Sequence, residues 1–160
     1  MSVRWLPLLL LLALPCAARS ADSQPNIVGA WTCGPYETQG PELAISALDR
    51  RVYSDDGHYT QHDSATYTRA DIKIHTEARH TGTWSLQGDV IEIRFTSSEF
   101  LSSDHPAVTV AKGQATLDAM RAHKNTDAKR ILKVDGQSMT TMAVEPTDKQ
   151  AAVEVSCVKG

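Results

Sequence analysis

The stretch DIKIHTEARHTGTWSL, residues 71–86, carries the longest alternation of apolar and polar side chains in this chain. Its even positions, from Ile72 to Leu86, are mostly apolar, and its odd positions are polar or charged throughout. Successive side chains of a β-strand point to opposite faces, so the pattern predicts a strand with one face in a core. Gly82 interrupts the apolar face, so the stretch is either one strand or two strands in line across a bulge near Gly82.

Turn sequences separate similar alternating segments along the rest of the chain. Asp56-Gly57, Gly88-Asp89 and Asp135-Gly136 are typical of tight turns between antiparallel strands. The predicted strands are 26–33, 43–53, 58–68, 71–86, 89–96, 107–111, 130–134, 138–144 and 150–158. This spacing favours an all-β sandwich or barrel, and eight or nine strands suffice to close a small barrel that holds side chains or one ligand.

Two segments between the strands are ambiguous. Leu117 and Met120 are at helical spacing, although residues 115, 117 and 119 also alternate, and we interpret residues 115–123 as a short helix. The segment TSSEFLSSDHP, residues 96–106, is polar around two apolar residues. It is compatible with a lid over a barrel end or with an ordinary long connection.

The first residues, MSVRWLPLLLLLALPCAARSADS, have the form of a secretory signal peptide. Arg4 precedes an apolar run that is too short to span a membrane, and small residues follow it. We predict a signal peptide over residues 1–21 and a single domain over 22–160, exported to the periplasm or the extracellular space. A lipid anchor at Cys16 is disfavoured, because Pro15 occupies the position where such signals usually carry a small residue.

Composition excludes several classes of function. The net charge is −3, and removal of residues 1–21 would take away Arg4 and Arg19 but no acidic residue, so the mature chain is acidic. Without a basic run, nucleic acid is not an expected partner. No second apolar run is long enough for a membrane span. The chain has no Gly-x-Ser-x-Gly elbow and no phosphate-binding glycine loop, so we predict neither a cofactor nor catalytic residues.

Two cysteines remain after removal of the leader, Cys33 and Cys157. An even pair in an exported chain favours a disulfide, the alternative being two buried free thiols. In IVGAWTCG, residues 27–34, Trp31 and Cys33 share a strand face. In the last predicted strand, Cys157 lies on the apolar face. A Cys33–Cys157 bond would therefore join the first and last strands and close the sheet.

Several short motifs resemble small bacterial lipocalin-like domains. Gly29-Ala30-Trp31 is similar to the Gly-x-Trp with which lipocalins open their barrel, and YSDDGHY (53–59) and GTWSLQGD (82–89) follow in a similar order. The resemblance implies a small antiparallel up-and-down barrel of about eight strands, with Trp31 packed across its closed end. It implies binding of a small apolar molecule, or of no ligand. The chain lacks a Thr-Asp-Tyr-like loop and a helix after the last strand, and these departures from the family are compatible with a shortened barrel that has a filled interior.

Five side chains are candidates for contact with a ligand inside such a barrel. They lie on faces that the alternation places inward, and they are Tyr53, Tyr59, Tyr67, His80 and Trp84. Aromatic side chains with a polar tip suit the mouth of a pocket, and an inward histidine could orient a ligand. Ordinary core packing, with one hydrogen bond to the histidine, accounts for the same pattern.

Metal binding and nucleophilic catalysis find little support. His58 and His62 would lie about 13 Å apart on one strand, too far for one ion unless a neighbouring strand contributed, so no metal site is predicted. In His62-Asp63-Ser64 successive side chains point to opposite faces, so adjacency does not make a catalytic triad.

The sequence thus favours a non-enzymatic exported domain that binds a small apolar or amphipathic ligand. The alternative is an exported protein-binding module, such as an inhibitor of a hydrolase, with a filled barrel that acts through its loops. An open interior would favour the first function.

Overall fold

Eight antiparallel strands and one helix form the described part of the computed structural model, which covers residues 25–40, 42–144 and 153–160. The elements are β1 (Gly29–Gln39), β2 (Ala44–Tyr53), β3 (His58–Arg69), β4 (Ile72–Gln87), β5 (Val90–Ser103), α1 (Val110–His123), β6 (Thr126–Val134), β7 (Ser138–Ala143) and β8 (Glu154–Lys159). Each strand pairs with its neighbours in the sequence, and β8 pairs with β1, so the sheet closes into a barrel. The predicted all-β up-and-down barrel with one short helix is confirmed.

The disulfide predicted at the seam is also present. Cys33 and Cys157 are direct partners in the β1–β8 register, with Cα atoms 3.9 Å apart and a bond between their sulfur atoms. Trp31 on the same strand is buried, and its indole N–H donates to the carbonyl of Ile27 at 2.8 Å. The bond links residues that are 124 positions apart, so it joins the first strand of the barrel covalently to the last.

The stretch at residues 71–86 forms one continuous strand, β4. Its pairing with β5 shifts register between Thr81 and Gly82, where the sequence allowed a bulge. A Cβ on Gly82 would lie 2.1 Å from the carbonyl oxygen of Arg94, so only glycine allows the two strands to approach this closely.

Two local predictions between β5 and β6 were wrong. β5 continues to Ser103, so most of the segment 96–106 is strand rather than loop. The predicted strand at 107–111 is instead the start of α1, which begins at Val110 after the N-cap Thr109. The Thr109 side chain accepts a hydrogen bond from the Lys112 N–H, and this capping overrides the short alternation of apolar residues there.

One end of the barrel is filled by side chains. This packed end consists of Ile27, Trp31, Cys33, Tyr53, Tyr59, Ile91, Ile93, Phe95, Ile131, Met139 and Cys157, with Trp84, Leu86, Val134 and Val155 against it. Aromatic rings meet edge-on within it, as between Tyr53 and Trp84 at 5.4 Å. Such burial of large apolar side chains accounts for most of the stability of a small domain.

The other end has a different construction, because β6 and β8 stop short of it. β6 pairs with β5 only along Val90–Arg94, and β8 pairs with β1 only along Trp31–Cys33. The second halves of β1 and β5 extend beyond these partners. There α1 packs against β5, with Gly113 on the Phe100 ring so closely that an added Cβ would lie 2.4 Å from it.

Some predictions fall outside the described residues. The leader at 1–21, with Cys16, and the first residues of the last predicted strand, 150–152, belong to this group. Within the described ranges, no helix has the length and apolar character needed to cross a membrane.

Candidate functional site

A cavity of about 770 Å³ lies between the half-barrel of β1–β5 and helix α1. Its walls are mainly apolar and are formed by Ile45, Ala47, Ala65, Tyr67, Ile74, Ala78, Phe100, Val108, Leu117 and Met120. These strand residues follow the same two-residue alternation that fills the packed end. At this end, however, three of the lining positions carry alanine (Ala47, Ala65 and Ala78), and β6 does not extend along the second half of β5. A sizeable, mostly apolar concavity is typical of small-molecule sites.

The floor of the cavity, where it meets the packed end, is polar. Five of its side chains are Tyr36, Asp49, Asp63, His80 and Arg121. They come from β1, β2, β3, β4 and α1 in turn, so every long element around the cavity except β5 contributes one. A few convergent polar groups beneath apolar walls fix the orientation of a ligand in such a site.

The carboxylate of Asp49 forms a buried ion pair with Arg51. The Arg51 Nη2 atom lies 2.5 Å from Asp49 Oδ2, and both side chains are almost fully buried. The Tyr36 hydroxyl donates to the same carboxylate at 3.3 and 3.4 Å. Burial raises the pKa of Asp49, and the guanidinium of Arg51 opposes that shift. Burial and the nearby Asp49 raise the pKa of Tyr36, so its hydroxyl remains a donor at neutral pH.

A second set of hydrogen bonds runs across the floor from β3 to β4. The Tyr59 hydroxyl donates to Gln61 Oε1, and Gln61 Nε2 donates to Asp63 Oδ1 at 2.5 Å. Asp63 Oδ2 lies 3.0 Å from His80 Nε2. Burial by itself raises the pKa of Asp63. The hydrogen bond and charge of His80, together with Gln61 and Arg51, outweigh this effect and lower the pKa overall. Asp63 is therefore an ionised acceptor at neutral pH.

The same network continues from His80 to α1. His80 Nδ1 lies 2.7 Å from Ser98 Oγ, and Arg121 Nε donates to that oxygen at 2.9 Å. Because the guanidinium can only donate, Ser98 Oγ accepts from Arg121. The ionised carboxylate of Asp63 can only accept, so His80 Nε2 carries the proton that it donates to Asp63. The Arg121 Cζ atom also lies 3.7 Å from the centre of the Phe95 ring.

Ser98, His80 and Asp63 are the residue types of a hydrolytic triad, and their connectivity is the same. Two features argue against that chemistry. The Ser98 oxygen accepts a hydrogen bond from Arg121, which lowers its nucleophilicity. Ser98 is also not among the residues that line the cavity, whereas His80, Asp63 and Arg121 are. The network therefore positions Arg121 and His80 rather than presenting a nucleophile to a substrate.

The structure divides the five candidate ligand residues between the two ends of the barrel. His80 and Tyr67 line the cavity. Tyr53 and Tyr59 belong to the packed end, where their ring centres are 5.1 Å apart, and Trp84 packs against them. The indole N–H of Trp84 donates to the carbonyl of Ser54 at 2.9 Å, which anchors it away from the cavity.

Most of the polar residues in the floor of the cavity were not predicted as site residues from the sequence. Asp49 and Arg51 share a face of β2 with Tyr53, so the alternation alone could have placed a buried ion pair there. Asp63 was considered only with its sequence neighbours, and Ser98 lay in the segment interpreted as a loop or lid. Arg121 reaches the site because α1 packs back on β5, a tertiary arrangement with no local signal.

The histidines of the outer surface do not combine into a metal site. His62 and His75 each lie 4.0 Å from Glu77, and all three residues are half-buried. In the part of the chain that the structure describes, no three histidine, cysteine, aspartate or glutamate residues are placed to hold a metal ion.

No protein-family model matches this chain, and no curated protein matches it in sequence. Assignment of function therefore depends on the fold and the geometry of the site.

Proposed function

We propose that this protein is a non-enzymatic binding protein of the lipocalin-like type that holds one small, mainly apolar ligand inside its barrel. The observation that supports this most directly is the cavity of about 770 Å³ with apolar walls and a polar floor. That volume lies in the range of about 300–1,000 Å³ that is usual for small-molecule sites. Apolar walls favour a ligand whose surface is removed from water, at about 25 cal/mol for each Å² buried.

The cavity also favours ligand binding over the alternative function that the sequence allowed. A protein-binding module with a filled barrel would bury its inward residues against one another at both ends. Here Met120 and Tyr67 line the open end with 59% and 37% of their surfaces exposed. Ligand binding removes such apolar surface from water, so it is favoured over an inhibitor that acts only through its loops.

Export is part of the same proposal. The disulfide between Cys33 and Cys157 is a bond that persists in oxidising compartments and is rare in the cytosol. We assign the protein to the periplasm or the extracellular space, after removal of the leader predicted at residues 1–21.

The experiment is titration with the neutral dye N-phenylnaphthylamine, whose fluorescence rises in an apolar site, followed by displacement with dodecanol. We expect saturable binding to one site in the wild-type protein. Ala78→Phe fills the cavity and should abolish the signal, whereas Ala119→Phe places the same side chain on the exposed face of α1 and should retain it. No saturable binding to the wild type, or equal binding to both variants, would overturn the proposal.

A further inference from the structure

The guanidinium of Arg121 is held in place on two sides but keeps free donors toward the cavity. Its Nε atom donates a hydrogen bond to Ser98 Oγ at 2.9 Å, and its Cζ atom lies 3.7 Å from the centre of the Phe95 ring. Its Nη2 atom has one long contact, 3.4 Å from His80 Nδ1. Among the described residues, Nη1 has no hydrogen-bond partner and no carboxylate lies within ion-pair distance. The end of the guanidinium that could bind an anion through two parallel donors is therefore unoccupied by the protein itself.

The acidic groups of the floor are in the opposite situation. Asp49 is paired with Arg51 and accepts from Tyr36. Each oxygen of Asp63 accepts a hydrogen bond, one from Gln61 and one from His80. A cationic headgroup would meet carboxylates that already accept hydrogen bonds from other side chains, whereas an anionic headgroup would meet donors that nothing else uses.

From this contrast we infer that the ligand carries a carboxylate, which binds to the Nη atoms of Arg121 while its apolar chain occupies the cavity. The inference depends on the function proposed above, because it assigns the headgroup of that ligand. Ser98 and Phe95 act as positioning residues, since they hold the guanidinium before the ligand arrives and so reduce the entropy lost on binding. Burial lowers the pKa of Arg121, and a bound carboxylate compensates the charge that this burial disfavours.

Three probes with the same alkyl chain test the assignment: dodecanoate, dodecanol and dodecyltrimethylammonium, each below its micelle concentration and each measured by displacement of the neutral dye. We expect dodecanoate to bind at least about tenfold more tightly than the other two, as is usual for hydrogen bonds to charged groups. Arg121→Gln should remove this preference by weakening the binding of dodecanoate much more than that of dodecanol. Arg130→Gln makes the same charge change at an exposed pair with Asp89 and should leave the preference intact.

The outcomes separate the two proposals. If none of the three probes binds, the proposed function fails. If all three bind with equal affinity, or if the ammonium probe binds best, the cavity is a ligand site but the carboxylate assignment is overturned. If Arg121→Gln weakens dodecanol and dodecanoate to the same extent, Arg121 supports the fold of the site rather than the headgroup, and the assignment is likewise overturned.

Discussion

The side-chain amide of Gln114 takes the place of a missing strand neighbour for Phe100. Its Oε1 atom accepts from the Phe100 N–H at 2.8 Å, and its Nε2 atom donates to the Ser98 carbonyl at 2.9 Å. These backbone groups belong to the part of β5 that extends beyond its pairing with β6. One amide side chain thus satisfies a donor and an acceptor of the unpaired edge and fixes α1 across the cavity.

Replacing Gln114 by alanine should loosen α1 from the sheet. The Phe100 N–H and the Ser98 carbonyl would lose their partners, at a cost of about 1–3 kcal/mol. Hydrogen exchange should show faster exchange of the Phe100 amide and of α1, with little change in the strands of the packed end. Gln87→Ala, at an exposed glutamine of β4, is the control and should leave α1 unchanged. Equal exchange in all three proteins would show that Gln114 does not hold the helix.

Gly113→Ala tests the close contact between α1 and β5. Alanine favours an isolated helix by about 1 kcal/mol over glycine. Its Cβ would meet the Phe100 ring at 2.4 Å, and overpacking of that kind costs about 1–3 kcal/mol. We therefore expect a lower free energy of unfolding in urea and weaker binding of the neutral dye. Lys112→Ala, on the exposed side of the same turn, should do neither. A stabilised Gly113→Ala protein would contradict the packing described.

The Cys33–Cys157 bond should contribute much of the stability of the barrel. For a closed loop of about 100 residues, the chain-entropy model gives about 4.7 kcal/mol, and the separation here is 124 positions. The Cys33→Ser/Cys157→Ser double variant should unfold at a correspondingly lower urea concentration. Mass spectrometry of the unfolded wild type should show the gain of two hydrogen atoms on reduction. No gain in mass would mean that the seam is not covalently closed.

Asp63 should make stability depend on pH in the acid range. Its pKa is lowered in the folded protein, so its contribution is present above the unfolded value of about 3.9 and is lost as the pH falls through the folded value. Asp63→Asn should cost about 1–3 kcal/mol near neutral pH and much less in strong acid, where the wild-type carboxyl is protonated as well. Urea unfolding at several pH values measures this difference. A constant difference at every pH would show that the hydrogen bonds accepted by the Asp63 carboxylate do not cause it.

The strands were predictable because the sheet imposes a two-residue period that the sequence displays directly. Residues 71–86 are the clearest case, and even the irregularity at Gly82 was visible as a gap in the apolar face. The disulfide followed from the compartment and from the faces on which Cys33 and Cys157 lie. These features follow from the local sequence pattern and from the face of the strand on which each residue lies.

The site was less predictable because it depends on which elements stop early. Nothing in the local sequence indicates that β6 and β8 stop early. Their early ends leave the second halves of β5 and β1 without a partner on one side, and this opens the cavity. Arg121 and Ser98 meet only because α1 turns back onto β5. His80 was correctly placed on the inward face, but its partners Asp63 and Ser98 come from the two neighbouring strands and are far from it in sequence.

The most direct test of the ligand site is the methyl NMR spectrum of the protein, labelled at isoleucine and titrated with dodecanol. Ile45 and Ile74 line the cavity, whereas Ile91 and Ile93 lie in the packed end. We predict large, saturable shifts of the first pair and small shifts of the second. Shifts of the second pair alone, or no saturable shift in either, would contradict the proposal that the cavity between β1–β5 and α1 binds an apolar ligand.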